Sequence, residues 1–207
     1  MTSVHLLAGE GASFKGGRKY VHGTDIVTSL DNFALKKGSR FFLEKIEFHV
    51  PLVTVGVILM GDTTAVSDKV QISASGILSA PHLRSGLSFR IFPSPLKITN
   101  DKRAFDEIML VQQATISDDC KSISSACQKN FSTVEHLSSL MKVMCKMLCP
   151  IYQNWWFVRL RKHAHLPVVS ENIELRLRRI IAQRLVSAEI LVNDQSYGEI
   201  DFIGAFK

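Results

Sequence analysis

The stretch Ser132–Leu148, STVEHLSSLMKVMCKML, predicts a long helix with one buried side. Ser132 is a favourable N-cap residue, and Glu135 completes the capping-box pattern, in which each side chain accepts a hydrogen bond from the other residue's backbone N–H. Apolar residues then recur every three or four positions and share one helix face. They are Leu137, Leu140, Met141, Met144 and Leu148. Pro150 ends the helix, because proline cannot donate a backbone hydrogen bond within it.

The residues around this helix predict β-strands. Two strand-like runs precede it, Glu107–Thr115 and Lys121–Ala126, joined by a polar turn at Ser117-Asp118-Asp119. Four strand-like runs follow it. They are Trp155–Leu160, Ile173–Ile181, Leu185–Val192 and Tyr197–Phe202, with a hairpin turn at Asn193-Asp194 before the last. The pattern is typical of an antiparallel sheet that packs against one long helix.

The first half of the chain follows a similar order. Val4–Phe14 is weakly strand-like, and Thr24 is a plausible N-cap for a helix with Asp25 in its first turn. Four strand-like runs follow. They are Arg40–His49, Leu52–Met60, Lys69–Leu78 and Leu87–Phe92. In the first run, Phe42, Ile46 and Phe48 should share a face that Glu44 interrupts.

The order strand, helix, four strands therefore occurs twice, about 100 residues apart, although the second copy opens with a hairpin where the first shows one weak strand. The pattern of Phe41–Pro51 parallels that of Trp155–Pro167, which indicates duplication. A β-α-β-β-β-β unit with an apolar helix resembles the hot-dog fold. The segment Ile108–Asn130 is similar to the opening of β-hydroxyacyl carrier-protein dehydratases, and Trp156–Phe202 is similar to the thioesterase branch of that superfamily.

This resemblance implies an α+β double hot-dog. Residues 1–100 and 101–207 would be the two repeats, forming a continuous antiparallel sheet wrapped around two central helices. A second copy would cover one exposed sheet edge of the first. A homodimer of double hot-dogs is left open.

The resemblance also implies a chemistry. Hot-dog enzymes act on acyl thioesters of coenzyme A or of acyl carrier protein, in fatty acid or polyketide metabolism, and the acyl chain lies between two copies. In the dehydratases, a loop histidine before one helix moves a proton, while a carboxylic acid on the other copy's helix handles the departing hydroxyl. We expect a lyase of this dehydratase or hydratase type that needs no cofactor. The alternatives are a thioester hydrolase, a non-catalytic acyl-binding module and a condensing enzyme like the tandem hot-dogs of the butyrolactone-synthase branch.

Four residues are candidates for catalysis, and each has a structural alternative. His22 precedes the first helix, where the dehydratase histidine would lie, although the family's His-Phe-Pro pattern is absent. The alternative is a surface loop histidine. Asp25 is a carboxylate that the helix dipole alone would favour, and Glu135 is already explained by the capping box. His136 is a second candidate for the acid–base group.

Four arginines are candidates for substrate binding. Arg159 and Arg161 share one face of a strand, as do Arg176 and Arg178. Such a surface could receive the phosphates of coenzyme A or an acidic carrier protein. The alternative is a solvated sheet face. Nucleic acid is disfavoured because the nearby Trp155 and Trp156 resemble core residues rather than a stacking platform.

Composition limits the remaining classes. The 207 residues are 46% hydrophobic with a net charge of +6, which excludes a disordered chain. No apolar run reaches the roughly 18–20 residues of a membrane span, and the start of the chain lacks the features of a secretory signal. The four cysteines contain no C-x-x-C pair, and no metal site is expected. We therefore expect a cytoplasmic protein.

Overall fold

The computed structural model describes residues 3–7, 20–37, 41–61, 70–80, 86–98, 105–128, 130–167 and 172–206. The chain divides into two compact units, residues 1–105 and residues 106–207.

In its described ranges, the first unit is an antiparallel sheet with one helix. Its elements are β1 (Ser3–Leu7), α1 (Gly23–Lys37), β2 (Phe42–Phe48), β3 (Gly56–Met60), β4 (Ala74–Ser79) and β5 (Leu87–Pro93). The strands pair in the order β1-β3-β5-β4-β2. Helix α1 packs against β2 and buries Ile26, Val27, Leu30 and Ala34. The predicted order of one strand, one helix and four strands is confirmed in this unit.

The alternation predicted for β2 is wrong at its start. Leu43 and Ile46 are the buried residues, whereas Phe42 and Phe48 are only half-buried. The register against β4 shifts between Leu43 and Lys45. A bulge at Glu44 therefore moves Leu43 onto the buried face, because the extra residue reverses the alternation of side chains. Of the predicted run Val4–Phe14, only the part within Ser3–Leu7 is strand, and residues 8–14 lie outside the described ranges.

The second unit contains the helix predicted first. Its elements are α2 (Glu107–Val111), β6 (Thr115–Ile116), β7 (Ser122–Ala126), α3 (Thr133–Leu148), β8 (Asn154–Lys162), β9 (Asn172–Ile181), β10 (Leu185–Val192) and β11 (Gln195–Ala205). The strands pair antiparallel in the order β8-β11-β10-β9-β7-β6. Helix α3 packs against β7 and all four later strands. The capping box and the Asn193-Asp194 turn are both present, with φ of 48° and 63° at the two turn residues.

The strand predicted over Glu107–Thr115 is wrong for most of its length. Residues 107–111 form α2, and only Thr115 belongs to a strand. The Asp106 carboxylate accepts a hydrogen bond of 2.9 Å from the backbone N–H of Ile108 and so caps this helix. Lys142 of α3 then forms an ion pair of 2.6 Å with Glu107. Local capping and packing against α3 together override the strand preference of the apolar run.

Gly198 allows β11 to approach β8 closely. Its φ is 150°, and an added Cβ would lie 1.9 Å from the carbonyl oxygen of Arg161. We expect Gly198→Ala to lower the free energy of unfolding by about 2–4 kcal/mol, measured by urea denaturation. Asp194→Gly in the same hairpin is the control and should cause no loss, because glycine tolerates a positive φ. An unchanged stability of Gly198→Ala would contradict this strand spacing.

Candidate functional site

The start of α1 holds the first two predicted site residues. The carbonyl of His22 accepts hydrogen bonds from the backbone N–H groups of Asp25 and Ile26, at 2.9 and 3.3 Å. His22 therefore occupies the position that precedes the helix, and Thr24, predicted as the N-cap, lies inside the first turn instead. The Thr24 side chain has a different partner, the ring of His22.

The imidazole of His22 is buried and oriented. Only 5% of the residue is exposed, so the alternative of a surface loop histidine is wrong. Nδ1 of the ring is joined to Oγ1 of Thr24 by a hydrogen bond of 2.7 Å, and the ring centroid lies 5.9 Å from that of Phe105. The preceding residue, Val21, donates its backbone N–H to Leu52 at 2.7 Å. The hydrogen bond between Nδ1 and Thr24 therefore fixes the orientation of the ring.

Asp25 is a second buried residue at the start of α1. It is 6% exposed and belongs to the first turn of the helix, where the partial positive charge of the helix end favours a carboxylate. His22 and Asp25 are thus both buried at the same helix end, and both are residue types suited to acid–base chemistry. Whether they catalyse a reaction stays a prediction.

Glu135 at the start of α3 has a defined structural role. Its Oε2 accepts a hydrogen bond of 2.7 Å from the backbone N–H of Ser132, and its own N–H donates to Oγ of Ser132 at 3.3 Å. The residue is 2% exposed. The capping box therefore accounts for the buried carboxylate, and a catalytic role for Glu135 stays a prediction.

His136 is fully buried beside Glu135. Its Nε2 accepts a hydrogen bond of 2.9 Å from the backbone N–H of Gln128, and the ring of Phe131 meets it edge-on at 6.1 Å. Burial lowers the pKa of His136, and this effect exceeds the opposing effects of the hydrogen bond with Gln128 and of the Glu135 carboxylate. A neutral ring whose Nε2 is already bonded cannot accept a proton at that atom. The geometry therefore disfavours His136 as a general base acting through Nε2.

The four predicted substrate-binding arginines are all paired with carboxylates. Arg159 and Arg161 contact Asp201 and Glu199, which lie directly opposite them on β11. Arg176 contacts Glu174 at 3.1 Å, and Arg178 contacts Glu189 at 2.6 Å. These ion pairs reduce the positive charge available to a phosphate, which favours the alternative of a solvated sheet face.

Glu189 shows how the pairing acts on one carboxylate. Burial alone would raise the pKa of Glu189, but hydrogen bonds from Ser196 and Arg178 and the charges of Arg178 and Arg176 hold it below its ordinary value. Glu189 therefore remains ionised and keeps its arginine partner.

The prediction that Trp155 and Trp156 are both core residues is wrong for Trp156, which is exposed. Trp155 is buried. Trp156 of β8 pairs with Ile203 of β11, and Ile203 pairs on its other side with Leu185 of β10. Leu185 in turn pairs with Ile181 of β9. These four residues form a partly exposed apolar row across β8, β11, β10 and β9. The alternation of side chains could have indicated this row, but the pairing register was needed to align it.

Two of the four cysteines lie in the buried part of α3 and its C-terminal end. Cys145 and Cys149 are buried one turn apart. Burial raises the pKa of both thiols, with a further increase at Cys145 from its neighbour Cys149. Both thiols therefore stay protonated and unreactive near neutral pH.

Among the residues that the structure describes, no group of three or more histidine, cysteine or acidic side chains could hold a metal ion. No helix within them has the length and hydrophobicity required to cross a membrane.

Solved structures with a similar fold cover nearly the whole chain. A bifunctional dehydratase-cyclase domain of ambruticin biosynthesis is 10% identical over 99% of this chain and 90% of its own, with a TM-score of 0.51. The dehydratase domain of PpsC from Mycobacterium tuberculosis, in complex with C12:1-CoA, is 9% identical over 99% and 94%, with a TM-score of 0.48. A protein assigned as an oleoyl thioesterase from Lactobacillus plantarum is 9% identical over 100% and 95%, with a TM-score of 0.44. No protein-family model and no curated protein matches the sequence.

The chain has the hot-dog fold, an α+β arrangement with a large antiparallel sheet and few helices. The predicted fold class is confirmed. Identities near 10% establish a shared fold and not a shared reaction. The evidence for a reaction therefore comes from the side chains of this chain and not from its fold.

The capping box of Ser132 and Glu135 should contribute to the stability of the folded chain. We expect Ser132→Ala to lower the free energy of unfolding by about 1 kcal/mol, because the N–H of Glu135 loses its acceptor. Glu135→Gln should cost less, because the amide oxygen can still accept from Ser132. Urea denaturation of both variants measures the difference, and a Ser132→Ala variant as stable as the wild type would contradict the observed box.

His136 should make stability depend on pH. Below the ordinary histidine pKa of about 6.5, the unfolded chain binds a proton at His136 that the folded chain excludes, so stability falls as the pH drops. Between pH 7.5 and 5.5 the wild type should lose about 1 kcal/mol more than His136→Gln, which has no titrating ring. Urea denaturation at both pH values measures this difference. Equal losses would show that the folded chain protonates His136 as readily as the unfolded chain.

Proposed function

We propose that the chain is an acyl-thioester enzyme with 3-hydroxyacyl dehydratase or enoyl hydratase chemistry, acting on coenzyme A or carrier-protein thioesters. The observation that carries this proposal is the buried His22, whose Nδ1 is held by Thr24 and which lies at the same helix end as the buried Asp25. A buried histidine with one nitrogen fixed by a hydrogen bond has the orientation that a general base requires. The hot-dog fold supports the assignment to this substrate class only as an analogy.

In the proposed reaction, Nε2 of His22 removes a proton from C2 of the 3-hydroxyacyl thioester. The electron pair of that C–H bond forms the C2–C3 double bond as the C3–O bond breaks. Asp25, in its protonated form, gives a proton to the departing hydroxyl, which leaves as water. Hydration of an enoyl thioester is the reverse sequence.

The same proposal includes the two-repeat organisation of the chain, its metabolic role and its cellular compartment. We take residues 1–100 and 101–207 as the two hot-dog copies, in fatty acid or polyketide metabolism. The four cysteines form no disulfide with one another, which supports a reducing compartment such as the cytoplasm. The paired arginines of β8 and β9 could still meet a carrier protein, although a phosphate must compete there with existing carboxylates.

A thioesterase is the second candidate. A buried carboxylate such as Asp25, at the start of a helix, could activate water for attack on the thioester carbonyl or attack that carbon itself. The products separate the two reactions, since hydrolysis releases a free thiol and dehydration does not. Binding of an acyl thioester without either product would indicate an acyl-binding module.

The test uses 3-hydroxybutyryl-CoA and crotonyl-CoA, with water addition or loss and thiol release measured in parallel. His22→Asn should lower kcat by about 100-fold or more, because the amide can keep a hydrogen bond to Thr24 but lacks an equivalent of Nε2. Asp25→Asn tests the proposed proton donor, and Glu135→Gln tests the separate prediction that Glu135 is catalytic. His49→Asn, at an exposed histidine bonded to Ser75, is the matched control and should keep full activity. Full activity of His22→Asn would remove His22 from the mechanism.

A further inference from the structure

Helix α3 carries buried polar atoms that no described residue satisfies. Nδ1 of His136 and the hydroxyl oxygens of Ser138 and Ser139 have no hydrogen-bond partner within the described ranges. These three residues are 0%, 1% and 3% exposed. Buried polar groups in folded proteins are normally hydrogen-bonded, so an unsatisfied cluster requires a reason. The capping box does not supply one, since it involves only Ser132 and Glu135.

The hydrogen bond at Nε2 determines what Nδ1 can do. The backbone N–H of Gln128 donates to Nε2 of His136 at 2.9 Å, so Nε2 carries no proton. In a neutral imidazole the proton then resides on Nδ1, which becomes a donor and cannot accept. Burial keeps the ring neutral by lowering its pKa. His136 therefore holds a buried N–H that needs an oxygen atom as its acceptor.

Ser139 provides a second group on the same side of the helix. Residues three positions apart are neighbours on a helix surface, and side chains lean toward the N-terminal turn, so Ser139 lies over the turn of His136. Its hydroxyl could have bonded to the carbonyl one turn back, but that bond is absent. Ser138 lies two positions from His136 and points to a different side. His136 and Ser139 thus present two potential donors to one region.

We propose that Nδ1–H of His136 and the hydroxyl of Ser139 bind the carbonyl oxygen of the acyl thioester. This inference rests on the proposed function and assigns His136 a role other than proton transfer. A carbonyl oxygen accepts two hydrogen bonds and donates none, which matches two donors better than a hydroxyl group does. Donors aimed at this oxygen stabilise the negative charge that develops on it when the proton leaves C2.

Two substitutions at His136 separate this role from a structural one. In His136→Gln the amide oxygen can accept from Gln128 in place of Nε2, while the Nδ1 donor is lost. In His136→Asn the amide N–H can replace the Nδ1 donor, while the acceptor for Gln128 is lost. Ser139→Ala removes the second donor, and Ser138→Ala is the matched control on the other side of the helix.

The measurements are kcat and KM with 3-hydroxybutyryl-CoA and crotonyl-CoA, binding of crotonyl-CoA by calorimetry, and thermal unfolding of each variant. We expect His136→Gln to unfold like the wild type at neutral pH but to lose about 100-fold in kcat. His136→Asn should unfold at a lower temperature and keep kcat within about 10-fold of the wild type. Ser139→Ala should lose about 10-fold, and Ser138→Ala should keep full activity.

The opposite pattern would overturn the inference. If His136→Gln is as active as the wild type, or if only His136→Asn loses activity, the ring serves the fold through Gln128 and does not touch the substrate. If the wild type is active and this pattern appears, the proposed function stands and only the present inference fails. If the wild type neither binds nor converts either thioester, the proposed function fails and this inference fails with it.

Discussion

The second unit depends on burying the start of α3, where a helix has backbone N–H groups without partners inside the helix. Ser132 and Glu135 solve this for two of those groups by bonding each other's N–H. Burial of Leu137, Leu140 and Met141 against the sheet then becomes compatible with a buried helix end. A buried carboxylate there follows from this constraint, which is why the location of Glu135 alone does not demonstrate catalysis.

The same burial gives His136 its properties. An exposed histidine at this position would titrate near neutral pH and exchange its partners with water. Buried between Gln128 and Phe131, the ring keeps one tautomer and one orientation. Local packing therefore converts a residue type usually associated with proton transfer into a hydrogen-bond donor with a defined direction.

The outer face of the second sheet illustrates a different balance. Residues of like charge are close in the sequence of β8 and β9, yet their partners come from β10 and β11 or from the same strand. Cross-strand pairing thus turns a basic segment into a set of ion pairs, each contributing little to stability where it is exposed. Counting charges along the chain cannot predict these ion pairs. It depends on the register between strands that are distant in sequence.

Periodicity and capping chemistry predicted the elements whose causes are local. The α3 helix, its capping box and the Asn193-Asp194 turn follow from residues within a few positions of one another. The failures share a different cause. Residues 107–111 became helix because of the Asp106 cap and the contact of Glu107 with Lys142, and the bulge at Glu44 arises from pairing with β4.

The sequence by itself determined most helices and strands, since their periodicities report which faces must be buried, and the order of these elements carried the resemblance to the hot-dog fold. It also indicated which residues are candidates for chemistry. Only the tertiary structure decided the state of those residues. The burial of His22 and its bond to Thr24, the bonded Nε2 of His136 and the paired arginines all depend on atoms brought together by folding. Burial and hydrogen-bond partners control protonation and direction, and neither can be read from spacing along the chain.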